Sequence, residues 1–544
     1  MRVIIEEQEG MNFEGFGGVK IYRPKASSEL IMRHAAQRHL FSKFSPGKYE
    51  DAKVINEILQ HQFSFFFEEL NKYIEVIAQE DFLHFLLNQY DESAKVDNLY
   101  KERALNGSEE NKWAAVGPVF RRTIKYLAER STLLNGDKNH THSNRPSLEG
   151  LDLLWIAAEE SVRLYLLSDQ TFTICPDSSR LELIDRELDD YFILSLTETC
   201  NLDNDIRIDT EYRDKYVGKP TDSVIFNLNE HQRLLGDAFQ STIGLNYLQT
   251  VGTIGNLIEG CVPAGDGFPV IFVHKENAIE ALVKATGASP VALNRAISGF
   301  IVTKEKMEEE GREVWKPKQE YRAYRRGFFE VWHKTGPHIA FSKSMAQECL
   351  LQLISEAVFK KLPPEWASEE VSKAGDALSN KAGSWFETVV YQNLSRVGIV
   401  GIKSQKKGFG VGSSRLEIPA DVGEIDFIGY SSSEKLLVLI ECKLVRGVTE
   451  PKFFRDDIYD FITKHKSYLS KFNKKAQWVK DNLNEIKIAL STDPVFPNDM
   501  EIAAFKTAII THYPSIVQCM IKDHPCVSLT NFMLDYEKAQ SWPY

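Results

Sequence analysis

The stretch GEIDFIGYSSSEKLLVLIECK, residues 423–443, predicts two β-strands joined by a short turn. IDFIGY and KLLVLIECK are apolar runs of strand length, and SSSE between them has the composition of a turn. Three charged side chains interrupt these runs: Asp426, Glu441 and Lys443. Because alternate residues of a strand share a face, Glu441 and Lys443 point to one side of the sheet and Cys442 to the other. A hairpin pairing would bring Asp426 near the Glu441 end.

A cluster of two carboxylates and one ammonium group is costly to bury. Each unpaired ion would cost several kcal/mol, so the cluster needs a compensating partner. Oxygen ligands favour Mg²⁺ or Mn²⁺, and Mg²⁺ usually takes only one or two protein carboxylates and keeps several waters. Phosphodiester hydrolysis uses these same parts, a metal ion and a nearby cation.

The elements around the hairpin predict an α/β domain with the order αβββαβ. SNKAGSWFETVVYQNLSRVG (379–398) has a helical apolar pattern, with Ser379 or Asn380 as N-cap and Gly398 as the C-terminal stop. GIVGIKS (398–404) is the first strand, and the hairpin supplies the next two. We expect one long basic helix over about 456–482, followed by a strand in FKTAIITHY (505–513).

This arrangement, an aspartate followed on the next strand by E-C-K, resembles the PD-(D/E)XK, or restriction-endonuclease-like, nucleases. The resemblance covers about 376–544, and Ile425 stands where the name-giving motif has proline. It implies that Asp426 and Glu441 bind the metal, with the Cys442 carbonyl as a further ligand. It also implies that Lys443 assists the attacking water and that Glu387, on the preceding helix, joins the site.

Two interpretations of these residues remain open. A second E-x-K, Glu485–Lys487, has no preceding apolar strand with an aspartate, so the tripeptide alone is unspecific. The charges of the hairpin could instead form ordinary solvated ion pairs at a sheet edge. Glu387 could equally be a solvent-facing helix residue.

The rest of the chain predicts a multidomain protein with an α-rich N-terminal region. Loops at 133–150 and 214–223 and the segment near 360–370 indicate breaks. We therefore expect a helical domain over 1–145, a mixed, α-rich domain over 146–370 and the nuclease-like domain over 376–544. The segment 56–90 carries a helical apolar pattern, and FPVIFV (268–273) is strand-like.

Composition and charge narrow the class of protein. The 544 residues carry a net charge of −12 and seven scattered cysteines, which indicate neither a disulfide framework nor a zinc ribbon. No long uncharged apolar run occurs, so we expect a cytoplasmic protein without membrane contact. The stretch from Lys443 to Lys480 is basic, with ten Lys and Arg against four acidic residues.

Four further segments carry functional signals that also have simpler explanations. KKGFGVGSSR (406–415) is more typical of a flexible loop than of a nucleotide site, since it matches no phosphate-binding fingerprint. The helix lysines 464, 466, 471, 474 and 475 could bind phosphates or form a solvated face. KPKQEYRAYRRGFFEVWHK (316–334) could stack on bases or cover buried aromatics with a basic surface. His140 and His142 lack further ligands at metal-binding spacing.

The function expected from the sequence is a Mg²⁺-dependent nuclease acting on nucleic acid, with DNA as the expected substrate and an N-terminal region that regulates it. Such an arrangement would suit a bacterial antiviral defence or restriction effector. The alternative is a catalytically inactive nuclease fold that serves as a nucleic-acid-binding or scaffold module. A third hypothesis makes the N-terminal region a homo-oligomerising sensor.

Overall fold

The computed structural model describes residues 10–77, 80–135, 148–169, 171–172, 179–185, 191–196, 202–261, 270–309, 319–447 and 451–544. The chain divides into two compact units. One unit is drawn from 1–198 and 231–375, and the other from 199–230 and 376–544. The sequence assigns 199–230 to the middle domain, whereas this segment packs with the C-terminal region. The division into three domains remains a prediction.

Helices and strands are numbered in chain order. The helices are α1 (Ala26–Phe41), α2 (Ala52–Ile77), α3 (Glu80–Lys101), α4 (Gly107–Asn135), α5 (Leu148–Asp169), α6 (Leu202–Tyr216), α7 (Leu228–Ile243), α8 (Tyr247–Gly260), α9 (Lys275–Thr286), α10 (Pro290–Ser298), α11 (Lys304–Glu309), α12 (Lys343–Glu356), α13 (Glu369–Arg396), α14 (Pro451–Ile458), α15 (Tyr468–Asp481), α16 (Leu483–Leu490) and α17 (Leu529–Ala539). The strands are β1 (Phe13–Phe16), β2 (Val19–Tyr22), β3 (Gly47–Tyr49), β4 (Ser179–Leu183), β5 (Phe192–Leu196), β6 (Val270–His274), β7 (Ile301–Val302), β8 (Phe328–His333), β9 (Gly336–Ser342), β10 (Ile399–Gln405), β11 (Gly408–Phe409), β12 (Leu416–Glu417), β13 (Ile425–Ser431), β14 (Leu436–Lys443), β15 (Ala504–Thr511) and β16 (Cys526–Ser528). None of the described helices has both the length and the apolarity that a membrane span needs.

The first unit is α-rich and contains small sheets. The predicted helical pattern over 56–90 falls in α2 and α3, and the apolar positions Leu59, Leu70 and Ile74 of α2 are buried. Its sheets have the strand orders β1-β2, β3-β4-β5 and β6-β9-β8-β7. The predicted strand in 268–273 corresponds to β6.

The described part of the aromatic and basic segment 316–334, residues 319–334, packs its arginines into the first unit. Arg322 and Arg326 are buried and pair with Glu129 at 2.6 Å and Glu365 at 2.8 Å, and Arg325 pairs with Glu356. Both sequence-based explanations placed these arginines at the surface and were wrong on that point. Glutamates from other segments compensate these guanidinium charges, and the local sequence of 316–334 does not indicate those partners.

The second unit contains a five-stranded mixed sheet with the order β10-β13-β14-β15-β16. β10, β13 and β14 are antiparallel, and β15 and β16 continue the sheet parallel to β14. One face of the sheet packs on an apolar cluster that includes Phe386 and Val390 of α13 and Phe532 of α17. The second unit therefore has the α/β character predicted for 376–544.

Helix α6 belongs to the core of the second unit. Tyr216, at its end, and the adjacent Val217 are buried in the apolar cluster of the sheet. Arg213 donates to the carbonyl of His512 at 2.6 Å and stacks over Tyr513, with 3.7 Å to the ring centroid. Asn393 of α13 donates to the carbonyl of Tyr216 at 2.7 Å.

Two predicted helix boundaries were wrong. α13 begins at Glu369, ten residues before Ser379, because the Ser368 hydroxyl accepts a hydrogen bond from Val371 N at 3.1 Å. The expected long basic helix is divided into α14, a π-helical turn (Tyr459–Thr463) and α15. Lys464 is extended there, and Ser467 caps the new helix by accepting from Ser470 N. Gly398 does end α13, with a positive φ of 84°.

The cysteines depart from expectation at one position. Cys261, Cys349, Cys442 and Cys526 carry free thiols, whereas Cys519 is disulfide-bonded. Scattered cysteines meet only through the tertiary fold, so their spacing in the sequence gave no indication of this bond.

Candidate active site

Strands β13 and β14 separate at the end of the sheet where Asp426, Glu441 and Lys443 lie. Their antiparallel ladder ends at the pair Phe427↔Ile440. One residue further, the Asp426 carboxylate accepts a hydrogen bond from the backbone N–H of Cys442 at 2.9 Å. A side chain therefore replaces the ladder at this point, and the sheet opens beside Asp426.

Packing of Phe427 fixes the face on which Asp426 lies. The Phe427 ring covers two glycines that pair across β10 and β13, Gly401 and Gly429. A Cβ at either glycine would come within 2.5 Å of that ring. Phe427 is thus held in the apolar cluster, and its neighbour Asp426 must point to the opposite face.

The structure brings Asp426, Glu441 and Lys443 together on that face. The Lys443 ammonium lies 2.7 Å from Glu441 Oε1 and 3.5 Å from Asp426 Oδ2. Asp426 and Glu441 are buried, at 8% and 3% exposure. The Cys442 side chain points into the apolar cluster on the other face, as the alternation of the strand requires.

Lys475 supplies a second ammonium group that the sequence analysis assigned to the phosphate-binding or solvated face of a helix. Its Nζ lies 2.6 Å from Glu441 Oε2 and 3.8 Å from Asp426 Oδ1. The residue is 7% exposed, so the interpretation of Lys475 as part of a solvated face was wrong. Its neighbour Lys474 is exposed on the same helix.

The position of Lys475 in its helix could have indicated its burial. The residues of α15 that face the interior are Phe472, Lys475, Ala476 and Val479. They follow the i, i+3, i+4, i+7 spacing of an apolar helix face, with one lysine among them. A lysine at such a position needs a carboxylate partner inside the protein.

Burial and neighbouring charges shift the pKa values of Asp426, Glu441 and Lys443. Burial, and next the charge of Glu441, raise the pKa of Asp426 to about 6 in spite of the two lysines. Burial acts in the same direction on Glu441, but Lys443 and Lys475 outweigh it and lower the pKa of that carboxyl. Burial opposes protonation of Lys443, yet the charges of Glu441 and Asp426 raise its pKa above the usual lysine value. Asp426 is therefore the less well compensated of the two carboxylates.

Glu387 lies beside the site and outside its ion pairs. In the described part of the chain, those pairs join Asp426, Glu441, Lys443 and Lys475. Glu387 Oε2 instead accepts a hydrogen bond from the Ser404 hydroxyl at 2.6 Å. Ser404 has a left-handed φ of 55° and lies between the pairs Lys403↔Phe427 and Gln405↔Ile425, level with Asp426. This contact ties Glu387 to β10 at the level of Asp426.

The oxygen atoms at the open end of the sheet suit a hard cation. Among the described residues, no group of three or more His, Cys, Asp or Glu side chains could hold a metal ion. Two carboxylates, those of Asp426 and Glu441, are nevertheless within the number that Mg²⁺ commonly takes from a protein. The N–H of Cys442 faces Asp426, and the N–H and C=O of one strand residue point to the same edge, so its carbonyl faces that edge too. The under-compensated charge of Asp426 supports the same fit.

The Gly-rich segment 406–415 forms an ordered substructure instead of the expected flexible loop. β11 of this segment pairs with β12, which follows it directly, and Phe409 stacks on Trp478 of α15 with 6.2 Å between ring centroids. Gly410 approaches the backbone of α16 so closely that a Cβ would lie 2.8 Å from the carbonyl oxygen of Ala489. Close packing therefore explains this glycine.

His140 and His142 lie outside the described residues.

Comparison with protein-family models, with curated proteins and with solved structures gives no match for this chain.

Proposed function

We propose that the second unit is a Mg²⁺-dependent nuclease of the PD-(D/E)XK type that hydrolyses phosphodiester bonds of nucleic acid, with DNA as the first candidate. One observation carries this proposal. Asp426, Glu441 and Lys443 share one face at the point where two strands separate, within 3.5 Å of one another through the lysine. Two buried carboxylates beside an ammonium group are costly for stability, and a metal-dependent hydrolytic site accounts for them.

Each residue of the site has a distinct role in the proposed reaction. Asp426, Glu441 and the Cys442 carbonyl would hold Mg²⁺, with Mn²⁺ as a substitute. When bound, the metal polarises a phosphoryl oxygen and lowers the pKa of a coordinated water. Lys443, fixed by Glu441, orients the attacking water and offsets the negative charge that develops on the phosphate. Glu387 would orient water or metal-bound groups from the edge.

Exposed cations near the site support nucleic acid as the substrate. Lys471 and Lys474 are solvent-exposed on α15, the helix that also sends Lys475 into the site. Lysines that contact phosphates make binding salt-dependent and independent of sequence. The acidic remainder of the chain would confine such contacts to this region.

The first test is cleavage by the full chain. We expect nicking of supercoiled plasmid in Mg²⁺ and none in EDTA, because the carboxylates alone cannot activate water. Single-stranded DNA and structured RNA serve as parallel substrates, so that a failure on plasmid DNA is not taken for absence of activity. No cleavage of any of the three in Mg²⁺ or Mn²⁺ would overturn the proposal.

Cleavage should also fall as the pH drops through the pKa of Asp426, which burial and Glu441 raise to about 6. Only the ionised carboxylate binds metal, so protonation below that pH removes a ligand. Mg²⁺ favours the ionised form and should move the acid limb to lower pH as its concentration rises. The pKa of the buried Asp457 is also raised to about 6, but an effect through that residue would not depend on Mg²⁺. If the pH of the acid limb does not depend on the Mg²⁺ concentration, the assignment to Asp426 is contradicted.

A second candidate function follows from the charge balance of the site. The two ammonium groups of Lys443 and Lys475 equal in number the two carboxylates of Asp426 and Glu441, so the formal charge balances without a metal, as expected for a nuclease fold that binds nucleic acid or a partner protein without catalysis. Such a protein would bind DNA equally well with Glu441→Gln and in EDTA. Metal-dependent binding or cleavage favours the first candidate.

A further inference from the structure

The second ammonium group of the site has no role in the reaction proposed above. Lys475 contacts Glu441 Oε2 at 2.6 Å, while Lys443 contacts the other oxygen, Oε1, at 2.7 Å. Each of the two carboxylate oxygens of Glu441 is therefore paired with an ammonium group. A divalent ion that binds Glu441 must share or displace one of them.

Lys443 and Lys475 are attached to the protein in different ways. Lys443 lies on the same strand as Glu441, two residues away, so a movement of the neighbouring helices would leave both side chains on the same face. Lys475 reaches the site from α15, on a flexible four-carbon side chain. Of the two, Lys475 is the one that can withdraw without disturbing the sheet.

We propose that Lys475 occupies the metal-binding side of Glu441 in the resting protein and is displaced when the metal binds. This role rests on the nuclease assignment made above and adds a residue to it. In the metal-free state Lys475 compensates a buried charge that would otherwise be costly. Metal binding releases its ammonium group, which then lies at the site with no carboxylate of its own.

The released ammonium group is placed to contact the phosphate under attack. Hydrolysis forms a bond from the water oxygen to phosphorus and breaks the bond from phosphorus to the leaving oxygen, which takes up a proton. Negative charge grows on the phosphoryl oxygens and on the leaving oxygen during this step. Lys475 stabilises that charge electrostatically and undergoes no covalent change. Its exchange between Glu441 and phosphate ties the availability of this cation to the presence of metal.

Mn²⁺ binding by the metal-free full chain tests this competition. Lys475→Met keeps the length of the side chain and removes its charge, so we expect Mn²⁺ to bind roughly tenfold more tightly, as the loss of a charge-assisted competitor implies. Calorimetric titration gives the affinity, and circular dichroism verifies the fold. Lys474→Met, one residue away and exposed, is the matched control and should bind Mn²⁺ as wild type does. Lys475→Arg retains the charge and should restore the weaker binding.

Thermal stability gives a second readout that a purely structural lysine would not produce. Lys475→Met removes one of the two ammonium groups that compensate the charge of Glu441. That variant should therefore melt at a lower temperature than wild type when no metal is present. Saturating Mn²⁺ should then raise its melting temperature more than it raises that of wild type. Equal or weaker Mn²⁺ binding by Lys475→Met, or binding by neither protein, overturns the proposed displacement.

Cleavage separates this inference from the nuclease assignment itself. In the proposed mechanism Lys475→Met should bind metal more tightly and yet cleave roughly 10- to 100-fold more slowly under single turnover, as the loss of one charge-stabilising group implies. Tighter Mn²⁺ binding without cleavage by either protein would sustain the competition and reject the nuclease. Tighter binding with an undiminished cleavage rate would sustain the competition and reject the phosphate contact.

Discussion

Glu441→Gln should lower the rate of Mg²⁺-dependent cleavage by roughly 10³-fold or more, the loss expected when a catalytic metal is no longer held. Gln keeps the shape of the side chain but removes the charge that binds metal. It also removes the partner that Lys443 contacts at 2.7 Å, so the orientation of the lysine is lost as well. Single-turnover cleavage at saturating enzyme measures the chemical step directly.

The matched control for this substitution is Glu501→Gln. Glu501 also pairs with a lysine of the second unit, Lys435 at 2.6 Å, but both side chains are exposed, at 66% and 53%. An exposed pair of this kind contributes little to stability, and we expect cleavage to remain at the wild-type rate. Lys443→Ala should lose activity as Glu441→Gln does. Retention of near-wild-type cleavage by either site variant would contradict the assigned roles.

A fragment containing only residues 376–544 should fail to fold stably, because it lacks α6. Tyr216, at the end of that helix, and the adjacent Val217 lie in the apolar cluster, and burying each side chain is worth about 1.5–3 kcal/mol. Its loss also leaves His512 without the contacts of Arg213, at the position directly after β15. The burial of the two side chains, about 3–6 kcal/mol together, reaches the lower end of the stability of a typical domain, ~5–15 kcal/mol.

Thermal unfolding followed by circular dichroism tests this expectation. The same fragment joined through a flexible linker to 199–230 should unfold cooperatively, since the linker restores α6. In the full chain, Arg213→Ala should lower the melting temperature of the second unit. A cooperative transition of 376–544 alone, at the temperature of the joined fragment, would show that α6 is dispensable.

Much of the hairpin could be predicted because its signals are local. Apolar runs over β13 and β14 and a turn of Ser and Glu define the strands, and strand alternation alone places Glu441 and Lys443 on one face. Gly398 ended α13 where the glycine rule predicts. The register remained open, because it depends on Phe427 packing over two glycines that belong to different strands.

Other features depend on contacts between residues far apart in the chain. Lys475 meets Glu441 across 34 positions, and only its place on the buried face of α15 could have indicated this pair. Arg213 meets His512 across 299 positions, and no local pattern predicts that α6 joins the C-terminal sheet. The arginines of 316–334 were likewise assigned to the surface because their carboxylate partners lie on other segments.

Mn²⁺ titration of wild type and Glu441→Gln, with no substrate present, tests most directly whether these carboxylates form a metal site. We expect wild type to bind Mn²⁺ at a site that Glu441→Gln loses, with Glu501→Gln unchanged. Equal binding by wild type and Glu441→Gln, or no binding by wild type, would contradict the account.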